Sequence, residues 1–180
     1  MSAQHEVAEA VGYYHDLLVG AWTDETAHPG YRPLPEDMPP SYGQCAVTAC
    51  VLLEELQRDF PGEEMALAAG RVVAVQRTLG GSALGPLIDD HWWINWHGRK
   101  LEDVRVIDVT ADQARTAALV TPVVTTHDRL LESGIAYATF KEFSSVEDAL
   151  VRGGKSNLPQ RYELLKSRLE ERRSATSITA

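Results

Sequence analysis

The sequence predicts an α+β domain: a helix, a central antiparallel pair of strands, then several more helices. Three observations carry this expectation. After Cys45 the chain places Ala46, Val47, Ala49, Val51, Leu52, Leu53, Leu56 and Phe60 toward one side of a helical run. "HWWINWHG" (91–98) and "DVRVIDVT" (103–110) are dense in aromatic and β-branched residues, and a short turn near Gly98, Arg99 and Lys100 separates them. Segments with Ser, Thr or Asn caps and helical periodicity then fill the C-terminal half.

Taken in order, residues 5–19 read as a helix that ends at Gly20. Residues 23–43 are rich in Pro, Gly and acids and hold no sustained period. A loop this long inside a domain is often functional; this one delivers the chain to Cys45 and is expected to form one wall of a cleft. Pro39 and Pro40 precede the turn formers Ser41, Tyr42 and Gly43, and a helix is expected over 41–60, stopped by "PGEE". "MALAAGRVVAVQRT" (65–78) becomes β-branched in its second half, and the glycine-rich "LGGSALGPL" (79–87) reads as a break. Beyond the hairpin, Thr110 and Gln113 have capping-box spacing, so "TADQARTAAL" is expected to begin a helix. Thr126 caps a short "HDRLLES" helix that stops at Gly134, and Ser144 or Ser145 caps "SSVEDALVRGG". Asn157 caps "NLPQRYELLKSRLEERR", with Leu158, Tyr162, Leu165 and Leu169 as its packing stripe. No internal repeat or linker is visible, so residues 1–173 read as one domain and 174–180 as a frayed tail.

Composition narrows the function classes. At 180 residues the chain can bury a hydrophobic core without disulfide staples. Its 17 basic and 26 acidic residues leave a formal charge of −9, which argues against nucleic acid or an anionic membrane as partner. The opening "MSAQHEVAEA" has neither a basic leader nor an apolar core, and no window has the length of apolar residues a bilayer demands. Two cysteines, five apart, do not make a disulfide framework, so a reduced, cytoplasmic location is expected.

The chemistry centres on Cys45. A cysteine in the first turn of a helix meets unpaired backbone N–H groups and the positive end of the dipole, both of which favour the thiolate. The alternative is a small buried apolar residue. A thiol nucleophile needs a base and an orienting group. Of six histidines, His5 and His15 lie on the first helix, His28 in the long loop, His97 beside a turn and His127 at a helix start. His91 opens the aromatic strand, where it shares a face with Trp93 and Asn95, while Trp92, Ile94 and Trp96 take the other. Asp108, flanked by Ile107 and Val109, needs a partner if it is half-buried. A hairpin turning about Arg99–Lys100 sets 91 opposite 108, and a two-residue slip leaves them diagonal neighbours on one face. Asp108 read alone also serves as a strand-end acid capping near Thr110. Together they form a nucleophile, base and orienter: Cys45, His91 and Asp108. A zinc site built from Cys45, Cys50, His91 and His97 fails on geometry, since 45 and 50 point roughly 140° apart on a helix and 91 and 97 lie about 20 Å apart along a strand. No cofactor or metal is called for.

These stretches resemble the bacterial YunG-like proteins, a compact branch of the papain-like fold. The resemblance rests on "AWTDET" (21–26), "SYGQCAVTA" (41–49), "HWWINW" (91–96), "VIDVTADQ" (106–113) and "RYELLKSRL" (161–169), which follow the family's order over most of the chain. It implies a papain-like or transglutaminase-like fold with a Cys-His-Asp site at Cys45, His91 and Asp108, and no particular substrate. Larger papain-like proteases usually carry an oxyanion-stabilising glutamine several residues before the nucleophile, where this chain has Met38-Pro39-Pro40. Gln44 is the nearby candidate, for either an oxyanion donor or a capping box with Ser41, and the Cys45 backbone N–H is a donor that needs no side chain.

The function expected is a cysteine-dependent acyl transfer: attack on an amide, ester or thioester, with water (hydrolase) or an amine (transferase) resolving the acyl-enzyme. Trp93 and Asn95 are the candidate substrate contacts, although tryptophans serve equally well as core. A chain this short favours a small molecule or a protruding amide-bearing side chain over an extended peptide. The alternative is a non-catalytic binding module on the same fold.

Overall fold

The computed structural model describes residues 3–75, 83–97 and 103–178. Among them are five α-helices and a five-stranded antiparallel sheet, an α+β architecture. Helix α1 (Ala3–Val19) buries Val7, Val11, Tyr14, Leu17 and Leu18, the stripe its helical period sets out. Helix α2 (Cys45–Asp59) starts four residues later than expected, because residues 41–44 are spent on a turn in which the Gln44 N–H donates to the Ser41 carbonyl at 2.9 Å. Gly43 holds φ +72° in that turn, where a Cβ would press on the Tyr31 ring, so the position demands glycine. Cys45 is thereby the first helical residue of α2.

The strands are β1 (Glu64–Val75), β2 (Ala83–His97), β3 (Arg105–Asp108), β4 (Val123–Thr126) and β5 (Ile135–Phe143), in the spatial order β4-β3-β2-β1-β5. β2 reaches back to Ala83, so the second half of the glycine-rich stretch is strand instead of break: Gly85 and Pro86 pair with Ala74 and Val73 of β1. β4 and β5, absent from the sequence expectation, add onto β3 and β1 and make the central hairpin into the middle of a wider sheet.

The helix expected from residue 110 shrinks to one 3-10 turn, Ala111–Ala114, ended by Arg115 at φ 50°. Thr110 makes no side-chain cap bond there, and Gln113 does not complete a capping box: its side-chain amide donates instead to the Ser41 carbonyl at 2.7 Å. Helix α3 (His127–Glu132) is capped by Thr126, and α4 (Val146–Arg152) by Ser145, whose Oγ accepts from the Asp148 N–H at 3.1 Å. Helix α5 (Leu158–Ile178) continues past Arg173, so residues 174–178 are helical where fraying was expected; the Ser174 and Thr176 hydroxyls donate to the carbonyls one turn back, Glu170 and Arg172.

Each face of the sheet owns a core. Leu67, Trp92, Ile94, Trp96 and Phe143 pack under α1, α2 and α5, with the Trp92 and Phe143 rings stacked at 5.2 Å. Ala68, Val72, Trp93, Val106 and Tyr137 face the other way, under Ala111, Leu119 and Leu130. No described helix is long and apolar enough to cross a membrane.

The register of β2 on β3 is Ile94↔Ile107, Asn95↔Val106 and Trp96↔Arg105. Continued by one step, it sets Trp93 opposite Asp108 and leaves His91 as the diagonal neighbour on the same face. The direct pairing of 91 with 108 is therefore replaced by the two-residue slip. The turn at residues 98–100 lies outside the described residues.

Candidate active site

The site forms where three pieces of backbone meet: the first turn of α2, the part of β2 that extends past its β3 partner, and the last residue of β3. His91 is fully buried, with Nε2 2.7 Å from Asp108 Oδ2. Asp108 is satisfied on both oxygens. Oδ2 also accepts the Tyr137 hydroxyl at 2.8 Å, and Oδ1 accepts the Thr110 N–H at 2.8 Å and the Thr110 hydroxyl at 3.0 Å. The two sequence readings of Asp108, partner to His91 and cap near Thr110, hold together, one on each oxygen.

With Nε2 engaged, Nδ1 is the ring nitrogen that remains for the Cys45 side. His91 Nδ1 is buried and has no hydrogen-bond partner in the resting geometry, and the Cys45 thiol is close enough that each group shifts the other's titration. The ring is used in the opposite sense from the serine-protease triad, in which Nδ1 faces the carboxylate. Burial alone pushes the Cys45 thiol up; His91, then Lys155, then the Trp92 backbone N–H outweigh it and hold the thiol below its ordinary value. Burial likewise opposes a charged His91, but Asp108, by charge and hydrogen bond, and Cys45 raise the ring well above the usual imidazole range. Asp108 is held below the carboxylate range, since His91, Thr110 and Tyr137 overcome its burial. Burial and the Asp108 charge keep the Tyr137 hydroxyl protonated as a donor. The two shifts run in opposite directions, the thiol lowered and the imidazole raised, so each charged form favours the other.

Cys45 opens onto a cleft of about 410 Å³, and the loop expected to form a wall does so through His28, Tyr31, Met38, Tyr42 and Gly43. Opposite stand Leu87, Ile88 and Asp90 of β2, with Lys155 and Arg161 from the C-terminal segment.

The remaining candidates fall elsewhere. Trp93 and Asn95 do not line this cleft. Trp93 is 1% exposed, its Nε1–H donates to Asn95 Oδ1 at 2.9 Å, and Asn95 in turn donates to Glu142 at 3.0 Å. They belong to the sheet-face core, and the substrate-contact expectation is corrected accordingly. Gln44 is fully buried and does not line the cleft either; its Nε2 donates to the Thr23 carbonyl at 2.9 Å, and it makes no cap bond. Ser41, its expected capping-box partner, gives its hydroxyl to Asp112. The oxyanion donor that the geometry retains is the backbone N–H of Cys45, among those a helix start leaves without an intrahelical acceptor.

Sequence reading missed Tyr137, Lys155 and Arg161. Tyr137 had a usable signal, since "IAYATFKEF" between Gly134 and Ser144 is a strand-like run. Arg161 had one too: it falls three residues after Leu158 and four before Leu165, inside the apolar stripe of α5. No family model, curated protein or solved structure matches this chain.

Proposed function

We propose that this protein is a cysteine-dependent acyl-transfer enzyme, a hydrolase or amide-forming transferase of the compact papain-like kind its sequence resembles. The supporting observation is the division of the His91 ring: Nε2 sits on Asp108 at 2.7 Å while Nδ1 is buried without a hydrogen-bond partner among the described residues, and the ring and the Cys45 thiol shift each other's titration.

In the proposed cycle the Cys45 thiolate attacks an amide, ester or thioester carbonyl. A C–S bond forms and the carbonyl π pair moves onto oxygen, where the Cys45 N–H at the positive end of α2 stabilises it. The pair returns, the bond to the leaving group breaks, and the His91 imidazolium gives that group its proton from Nδ1. Neutral His91 then takes a proton from water or an amine as it attacks the thioester, and the thiolate departs. Asp108 positions the ring and stabilises its charge throughout, helped by Tyr137 and Thr110. A free thiol as nucleophile suits a reducing compartment, and the cytoplasm is the proposed location.

The test is mass spectrometry after brief exposure to iodoacetamide at about pH 6. The expected product is a single adduct on Cys45, with Cys50 untouched and no adduct on Cys45→Ala. Equal labelling of the two cysteines would overturn the proposal and leave a binding module. Incubation with a panel of small amides and thioesters is then expected to leave an acyl adduct on Cys45.

A further inference from the structure

Arg161 stands in the first turn of α5 and is 3% exposed. Its Nε donates to the Thr26 carbonyl at 2.8 Å and its Nη2 to the Gly43 carbonyl at 3.0 Å. Its Nη1 is buried with no hydrogen-bond partner among the described residues. All its partners are neutral. A buried guanidinium without an anion is costly, and the N-terminal end of a helix adds positive potential of its own. Tying two carbonyls together needs only neutral donors, so the stitching of the loop accounts for the hydrogen bonds and not for the charge.

The other cations on the cleft are already matched. Lys155 is paired with Asp90, and Arg115 lies 3.8 Å from Asp37. Arg161 alone among these three has no carboxylate partner among the described residues, and it lines the same cleft that Cys45 opens onto. The two are near enough that Cys45 raises the guanidinium pKa against the downward pull of burial.

From this juxtaposition we infer that Arg161 anchors a carboxylate of the substrate, so that the enzyme acts on small amides or thioesters that carry a free carboxylate a few atoms from the reacting carbonyl. The inference deepens the acyl-transfer reading and rests on it. The unpartnered Nη1 supplies two N–H groups to the anion, a charge-assisted contact stronger than a neutral one. The carboxylate restores neutrality to the buried cation, and the amide or thioester is then held beside the sulfur. A cleft of about 410 Å³ accommodates a substrate of that size. Neutral amides of the same shape lose the anchor and leave the buried charge of Arg161 uncompensated.

The experiment compares two alkylating probes that differ in this charge, iodoacetate and iodoacetamide. Both form a bond from the Cys45 sulfur to carbon and release iodide. The measured quantity is the ratio of their rate constants at Cys45 divided by the same ratio for glutathione, at matched ionic strength. The wild-type protein is expected to favour iodoacetate by at least about tenfold. Arg161→Gln is expected to lose that preference, and Arg161→Lys, which keeps the charge, to recover part of it; a role confined to holding the loop would not produce this pattern. Because Arg161→Gln also loosens the loop, a second measurement uses the wild type alone: sodium acetate is expected to slow iodoacetamide labelling saturably, and acetamide is not. A wild-type ratio equal to that of glutathione, an unchanged ratio in Arg161→Gln, or no protection by acetate overturns the inference. Fast iodoacetamide labelling at about pH 6 with a flat ratio sinks only the Arg161 anchor, whereas no labelling by either probe sinks the acyl-transfer reading as well.

Discussion

Cys45 and Cys50 lie five residues apart on one helix, and both are free thiols. Cys50 is fully buried in the core between α2 and its neighbours, and burial pushes its thiol up to about 12. Burial acts in the same direction on Cys45, yet that thiol falls below its ordinary value. The helix and the residue type are shared; the place at the helix start, His91, Lys155 and the Trp92 N–H are not. The lowered Cys45 thiol therefore reflects its place at the start of α2 together with what other strands and loops bring there, and removing those neighbours is expected to move Cys45 toward Cys50.

The largest test of that comparison is Asp108→Asn. It leaves His91 and Tyr137 facing an amide in place of a carboxylate, and breaking a buried pair of this kind costs about 3–5 kcal/mol. Urea unfolding at neutral pH is expected to show the loss. The folded pKa of Asp108 is depressed, so its stabilisation is present above an unfolded value of about 3.9 and lost as pH falls through the folded value. The gap between wild type and variant is thus expected to close in strong acid. A gap independent of pH would show that Asp108 is not the ionised partner.

His91→Asn comes next. Without the imidazolium the Cys45 thiol returns toward or above its ordinary value. A thiol of pKa about 8.5 is only about 0.3% ionised at pH 6. Alkylation at that pH is expected to slow by up to about 300-fold, with the acid limb of the rate profile moving upward. An unshifted limb would mean that Cys45 draws its reactivity from the helix end alone.

Tyr137→Phe is the smallest change. It removes one of four donors to Asp108 and is expected to cost about 0.5–1.5 kcal/mol, read from the urea midpoint, with a shift of the same acid limb far smaller than for His91→Asn. A shift equal to that of His91→Asn would move Tyr137 from supporting Asp108 to the centre of the site.

The approach of His91 to Asp108 was legible because Asp108 violates local pattern. A carboxylate between Ile107 and Val109 asks for a partner, and the alternation of "HWWINW" fixes which side chains share its face. The face was right while the direct pairing was off by two, since the sequence between the two strands carries no strong turn signature from which a register could be read. The same alternation misassigned Trp93 and Asn95. Sharing a face with His91 does not bring them to the cleft, because Tyr137 of β5 covers Trp93 at 5.0 Å between ring centroids. That cover depends on β5 pairing with β1, a long-range event that local periodicity does not report. Gln44 misled for a similar reason: its acceptor is Thr23, on the far side of a loop without period. Arg161 broke the stripe of α5 as plainly as Asp108 broke its strand, but a basic residue on a helix rich in Arg and Lys does not stand out.

The two hydrogen bonds from Arg161 to Thr26 and Gly43 close loops of more than a hundred residues. On the ribosome, a growing chain that has not yet released residue 161 already carries Cys45, His91 and Asp108, but lacks the guanidinium that ties Thr26 to Gly43. Completion of the cleft thus waits for α5, and a product truncated before it would hold Cys45, His91 and Asp108 without the guanidinium that lines the cleft beside them.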